Sequence, residues 1–157
     1  MSAIKNILKG RAWIVLTATR EKIDGVDVPW DHAENVRANV ELEATLKHNG
    51  LDYHVGEGMY KSNEQGPSFL VRCRNFAESE QMLYLSRYYQ QESTLVPEGL
   101  CYDEGTTHWT VKERTDRILF GAAALAEDFY TKIGDEAFSC LMHDPTESDD
   151  YLYYQTD

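Results

Sequence analysis

The sequence is poor in the residues that most directly announce a chemistry. It has three cysteines, Cys73, Cys101 and Cys140, and no two of them stand at metal-pair spacing. Their wide separation and odd number exclude a disulfide framework and suit a reducing compartment. The five histidines, His32, His48, His54, His108 and His143, form no HxH or HExxH pattern, so no metal site is expected. Neither GxGxxG nor GxxxxGKS/T occurs. The glycine cluster Gly56-Glu57-Gly58 puts a carboxylate where a phosphate would sit, so nucleotide phosphate binding is not supported and no cofactor is expected. GxSxG is absent as well, and Ser, His and Asp cannot be assembled into a triad from sequence alone.

Positive charge is also scarce. Fifteen Lys and Arg stand against 27 Asp and Glu, a formal net charge of −12. That balance opposes binding to nucleic acid or to an anionic membrane surface, and favours a cationic small molecule. No stretch approaches the ~20 apolar residues of a membrane span. The apolar run near the start is only about seven residues long, lacks a small-residue cleavage site and alternates in β-branched fashion, so it reads as a strand rather than a signal peptide. A soluble, cytoplasmic protein is expected. There is no low-complexity linker, and no repeat beyond the pseudo-symmetry of two β-α-β halves. With 157 residues, 42% of them apolar, the chain is expected to be one domain over 1–157.

The elements present are more informative. Ala12 to Thr19, AWIVLTAT, predicts a first strand covered on both faces. Ala33 to Asn49 predicts a helix, with Val36/Val40 and Leu42/Leu46 four apart and Gly50 at the C-cap position. Strands are expected at Leu51–Val55, Ser68–Cys73 and Ser93–Val96. Asn75 and Glu78 stand at capping-box spacing before a second helix, Phe76 to about Gln91, with Met82, Leu85 and Tyr89 on one face. The order β-α-β-β-α-β implies an α+β, ferredoxin-like fold, an antiparallel sheet with both helices on one face, over 12–102. A strand and helix extension follows over 103–142, with strands at Gly99–Tyr102 and His108–Val111 and a helix over Arg117–Lys132. An acidic, Tyr-rich tail occupies 143–157.

Between the second and third strands lies GEGMYKSNEQGP, longer than a tight hairpin needs, and such length usually signals function or mobility. Glu64 stands there beside a Gln-Gly-Pro turn, with Tyr53 and Tyr60 flanking it. A carboxylate among tyrosines holds an ammonium or sulfonium through Coulombic and cation–π attraction, roughly 0.5–2 kcal/mol each when desolvated. On residue types alone the commoner reading is a solvated loop with a strand-edge Glu, since aromatics on loops and strands are often only packing. Gln91 ends the second helix, where it either caps or binds.

Taken in order, these residues resemble the phage-encoded S-adenosylmethionine hydrolases, now understood as S-adenosylmethionine lyases. The features are IVLTATR in the first strand, Thr45-Leu46, and Gly-Leu-x-Tyr at Gly50 to Tyr53. They continue with Gly58, Tyr60 and Lys61, Glu64 before Val71 to Cys73, Gln91 before Leu95-Val96, and a second Gly-Leu-x-Tyr at Gly99 to Tyr102. The resemblance spans Trp13 to Tyr102. It implies cleavage of S-adenosylmethionine to 5′-methylthioadenosine and L-homoserine lactone without cofactor or metal. It also implies a homotrimer with sites between subunits, in the cytoplasm of an infected bacterium, depleting the methyl donor that restriction and modification systems need. Glu64 and Tyr53 would be catalytic, and Gln91 and Tyr60 would bind substrate. A hydrolase giving homoserine directly, or a phage protein that only sequesters a ligand or inhibits a host enzyme, are the alternative readings.

Overall fold

The first strand already contains the logic of the fold, because it is apolar on both faces. In a computed structural model, which describes residues 2–19, 32–60, 63–89, 91, 93–103, 108–142 and 151–155, β1 (Trp13–Leu16) is buried throughout. Trp13 and Val15 enter one apolar cluster, Ile14 and Leu16 another. A strand can do this only where both faces of its sheet are covered.

The remaining elements follow in chain order. Helix α1 is Ala3–Lys9 and α2 is His32–His48. Strands β2 (Asp52–Tyr60) and β3 (Asn63–Arg72) lead to α3 (Phe76–Tyr88). Then come β4 (Ser93–Val96), β5 (Gly99–Asp103), β6 (His108–Phe120), the single-turn α4 (Ala122–Leu125), β7 (Phe129–Ile133), β8 (Glu136–Met142) and β9 (Tyr151–Gln155).

The strands pair antiparallel in the order β5-β4-β1-β3-β2-β7-β8-β6, and β5 also pairs β6, Gly99 facing Glu113 and Asp103 facing Trp109. The circuit therefore closes. The fold is an eight-stranded antiparallel β-barrel, mostly strand, with β9 added along the first half of β6. This corrects the ferredoxin-like α+β expectation of an open sheet with helices on one face. The reason lies in the last third of the chain. β7 continues the sheet beyond β2, β8 continues it beyond β7, and the long β6 pairs β8 with its second half and β5 with its first. Closure removes the unpaired edges that an open sheet would leave on β2 and β4.

The expected helix over Arg117–Lys132 is corrected too. β6 runs on to Phe120, Ile118 and Phe120 pack into the same apolar cluster, and only the alanines at 122–124 start a helix of one turn. Residues 143–150 of the acidic tail lie outside the described residues.

Alternation along each strand sorts the core in two. Trp13, Val15, Leu70, Leu95, Phe138 and Cys140 meet, together with Ile4, Ile7 and Leu8 of α1. They come from strands on opposite sides of the closed sheet, so they fill its lumen, and α1 lays its apolar face into the same space. Ile14, Leu16, Phe69, Val71, Val96, Cys101, Trp109 and Val111 point outward beneath α2 and α3, against Ala38, Leu42, Leu46, Met82 and Tyr89. Each fully buried Leu or Phe contributes roughly 1.5–3 kcal/mol as an upper estimate. Val36 and Val40, in register with each other on α2, face solvent instead (49% and 64% exposed).

The helix ends are chemically specified. Gly50, at φ +66°, closes α2: its N–H donates to Lys47 O and the Leu51 N–H to Leu46 O, while Leu46 and Leu51 share the core. This is the Schellman arrangement that glycine favours. Asn75 caps α3 by accepting from the Glu78 N–H at 2.9 Å. Glu78 turns back one residue further than a capping box would, to the Arg74 N–H at 2.6 Å and the Arg74 guanidinium. All three cysteines are buried thiols, with no disulfide between them.

Candidate functional site at the end of the first strand

The polar link between the second and third strands is not a loop. β2 continues to Tyr60 and β3 begins at Asn63, with Tyr60 facing Asn63 and Met59 facing Glu64. Its glycines and polar residues form strand because β2 pairs on both edges, to β3 and to β7. Tertiary pairing overrides their weak intrinsic preference.

One irregularity marks this hairpin. Glu57 faces Pro67 and Met59 faces Glu64, so β3 carries one residue more than β2 between these pairs. Gly66 sits in that bulge at φ +70°. It is a position only glycine fills easily, since a Cβ there would stand 2.4 Å from Thr19 Oγ1.

Thr19 belongs to the segment that follows β1. Beyond Leu16 the backbone leaves the ladder, and side chains take over its hydrogen bonding. Thr17 Oγ1 donates to Pro67 O at 2.7 Å and accepts from the Thr19 N–H at 3.1 Å. Asn39, buried on α2, accepts from the Ala18 N–H at 2.9 Å and donates to Thr19 Oγ1 at 2.8 Å. Gln91 Nε2 donates to Thr19 O at 3.0 Å. Three separate elements thus meet on Thr19: α2 through Asn39, the end of α3 through Gln91, and the β3 bulge through Gly66.

Of the residues singled out from sequence, Gln91 is therefore placed beside the bulge that leads to Glu64, two positions from Gly66. The side chains of Glu64 and Tyr60 lie outside the described residues, and their backbone positions face Met59 and Asn63. Tyr53 is elsewhere. It faces Val71, six positions before Met59 on β2, which puts it roughly 20 Å from Glu64 along the hairpin at about 3.3 Å per residue. Its half-buried hydroxyl donates to Glu43 Oε2 of α2 at 2.8 Å, and its ring packs edge-on against Phe69 at 6.1 Å. Burial, then the bond to the Glu43 carboxylate, push the phenol above its ordinary value. Tyr89 makes the parallel contact, donating to Glu41 Oε1 at 2.8 Å, and its phenol is raised for the same reasons, burial first.

An open groove of about 540 Å³ runs beside the bulge, walled by Val55, Glu57, Gly66, Pro67, Lys132 and Gly134. Its size falls within the range of small-molecule sites. Among the described residues no group of three or more His, Cys, Asp and Glu could hold a metal, and no helix is long and apolar enough to cross a membrane.

Sequence reasoning missed Thr19, Asn39 and Glu43. The one signal available was Asn39 itself, a polar residue beside the Ala38, Leu42 and Leu46 stripe of an otherwise apolar helix face.

No curated protein matches the chain. A sequence profile of the S-adenosylmethionine lyase family matches residues 29–138, a span that contains Asn39, Tyr53, the Gly66 bulge and Gln91. Because that match covers well over half of the molecule, the chain belongs to the S-adenosylmethionine lyase family, and S-adenosylmethionine is the substrate it cleaves.

Proposed function

We propose that the protein releases 5′-methylthioadenosine and L-homoserine lactone from S-adenosylmethionine by an intramolecular displacement. The substrate carries its own nucleophile. Its carboxylate oxygen attacks the γ-carbon, the carbon–sulfur bond breaks, and the electron pair leaves on sulfur as a neutral thioether. No proton moves, so no general base is required. Sulfonium and carboxylate charges vanish together as the lactone closes, while the α-ammonium keeps its charge throughout.

This charge pattern decides where a protein carboxylate helps. Placed on the sulfonium, it would stabilise the ground state more than the transition state and slow the step. Placed on the ammonium, it holds the methionine arm folded, with carboxylate and γ-carbon as a near-attack pair, a form of positioning worth several kcal/mol. Glu64 takes that role in this reading, with Gln91 and Tyr60 binding the same arm. The observation that supports it best is the meeting of Gln91 and the Gly66 bulge on Thr19. It brings the end of α3 to the stretch of β3 that carries Glu64. Exclusion of water assists, because charge collapse is favoured in a low-polarity site.

Tyr53 stands too far from Glu64 in one subunit for both to touch a single methionine arm. A site between neighbouring copies, with Glu64 on one wall and Tyr53 of the next subunit on the other, accommodates both. The depletion of the methyl donor during phage infection is the biological role that goes with this activity.

The experiment is incubation with S-adenosylmethionine in ¹⁸O-labelled water, quenched early and read by chromatography and mass spectrometry. Unlabelled homoserine lactone beside methylthioadenosine is the expected first product. Homoserine carrying label in its side-chain hydroxyl would establish direct hydrolysis instead, and no methylthioadenosine at all would leave only ligand binding. Glu64→Gln is expected to abolish turnover with the fold intact, and wild-type rates from that variant would remove Glu64 from the site.

A further inference from the structure

We propose that Asn39 is a positioning residue for S-adenosylmethionine cleavage, acting through Thr19 on Gln91 and on the Gly66 bulge together. This rests on the reading that Glu64 and Gln91 hold the substrate.

Asn39 is 5% exposed and uses its whole amide. Oδ1 accepts from the Ala18 N–H at 2.9 Å, and Nδ2 donates to Thr19 Oγ1 at 2.8 Å and to Asn35 O at 2.9 Å. A buried amide is an expensive way to fill a helix face next to Ala38, Leu42 and Leu46. Each polar atom must be desolvated, and pairing it returns little net stability. Packing alone would be served as well by leucine.

What the amide does, and leucine cannot, is take the place of a ladder bond where β1 leaves the sheet. Its two contacts to consecutive residues fix both the backbone at Ala18 and the side chain of Thr19. Thr19 in turn offers its carbonyl to Gln91 at 3.0 Å and its Oγ1 to the space directly over Gly66. A shift of Thr19 therefore moves Gln91 and releases the bulge at the same time. Misplacement of a substrate-holding group by about 1 Å costs on the order of 100-fold in rate.

The test compares methylthioadenosine release by the wild type, Asn39→Ala, Gln91→Ala and the double variant, with folding monitored by circular dichroism. Asn39→Ala is expected to lose tenfold or more in kcat/KM. In the Gln91→Ala background the same change is expected to cost less than it does alone, because the share carried by Gln91 is already lost and only the share carried by the Gly66 bulge remains. A merely structural contribution would instead multiply. Asn39→Ala within threefold of wild type, or losses that multiply, would overturn the inference. Should Asn39→Ala fail to fold, Thr19→Val keeps the volume and removes the Oγ1 acceptor. Its expected loss is again tenfold or more, and wild-type kcat/KM from it overturns the inference just as well. Absence of methylthioadenosine from the wild type would refute the functional reading itself, whereas normal wild-type turnover with an unaffected Asn39→Ala refutes only the role of Asn39.

Discussion

Gly66→Ala probes the contact on which the candidate site depends. The residue sits at φ +70°, where a Cβ costs about 1–2 kcal/mol from clash with its own backbone. Beyond that, the new methyl would meet Thr19 Oγ1 at 2.4 Å and Thr19 Cβ and Cγ2 at 3.2 Å. Thr19 cannot swing aside freely, since it is 8% exposed and Asn39 holds its Oγ1. Forcing a methyl into such a filled space costs about 1–3 kcal/mol. The expected loss is therefore about 2–5 kcal/mol, a large part of the roughly 5–15 kcal/mol that stabilises a domain. Gly50→Ala isolates the backbone contribution. Gly50 has φ +66°, but a Cβ there would meet nothing within 4 Å, so only the conformational cost of about 1–2 kcal/mol applies. Thr19→Ala removes Oγ1 and Cγ2, and also the partner of Asn39 Nδ2, so it destabilises the wild type but should cost less in the Gly66→Ala background, by most of the packing loss. Urea unfolding followed by the fluorescence of buried Trp13 and Trp109 reads all five proteins. Equal midpoints for Gly66→Ala and Gly50→Ala, or equal costs of Thr19→Ala in the two backgrounds, would refute the packing of Thr19 on Gly66.

Three other outcomes are expected. Tyr53→Phe lowers kcat/KM tenfold or more if its hydroxyl works on substrate, while Glu43→Gln, which keeps an oxygen acceptor for that hydroxyl, stays within threefold of wild type; equal losses in steady-state assays would mark the pair as structural. Burial raises the Cys140 thiol from 9.0 to about 11. The folded state therefore keeps its proton where the unfolded chain has lost it, and stability, intact below about pH 9, falls as pH rises toward 11, by roughly 2–3 kcal/mol from this group. Urea midpoints across that range should fall less steeply in Cys140→Ala, and an unchanged slope would refute the assignment. Asn75→Ala removes the N-cap of α3 and should cost about 1 kcal/mol in the same assay without altering turnover.

What could be read from the residues was what is decided locally. The apolar WIVL run, the Gly50 end of α2, the Asn75 cap and the strand Ser93–Val96 each depend on a few neighbours in sequence, and each forms. Barrel closure depends on β5 finding β6 and on β7 finding β2, pairings that no local preference encodes. The alanines at 122–124 favoured a helix over Arg117–Lys132, but the alternation of Ile118 and Phe120 toward the lumen outweighed them. Helix α1 escaped notice because seven residues are too few to be helical alone, and the lumen holds it there. Among the candidate site residues, Tyr53 and Glu64 are close in sequence, yet an extended hairpin converts that closeness into distance. Gln91 and Gly66 are far apart in sequence, and Thr19 unites them.

The barrel also bears on the proposed location of the charged substrate. Its lumen is filled by Trp13, Leu70, Phe138 and their neighbours, with α1 laid among them. The outer face of β1 and β3 is equally closed, beneath α2 and α3. The proposed site lies instead at a strand end, where the ladder runs out and every backbone group needs another partner. Thr17 to Thr19 is such an end, and its partners are side chains rather than a neighbouring strand. The proposed reaction, whose nucleophile and leaving group belong to the same molecule, asks the protein chiefly for fixed contacts around a folded arm. A strand end tied down by Asn39, Thr17 and Gln91, and roofed by a glycine bulge, is a rigid place from which to offer them.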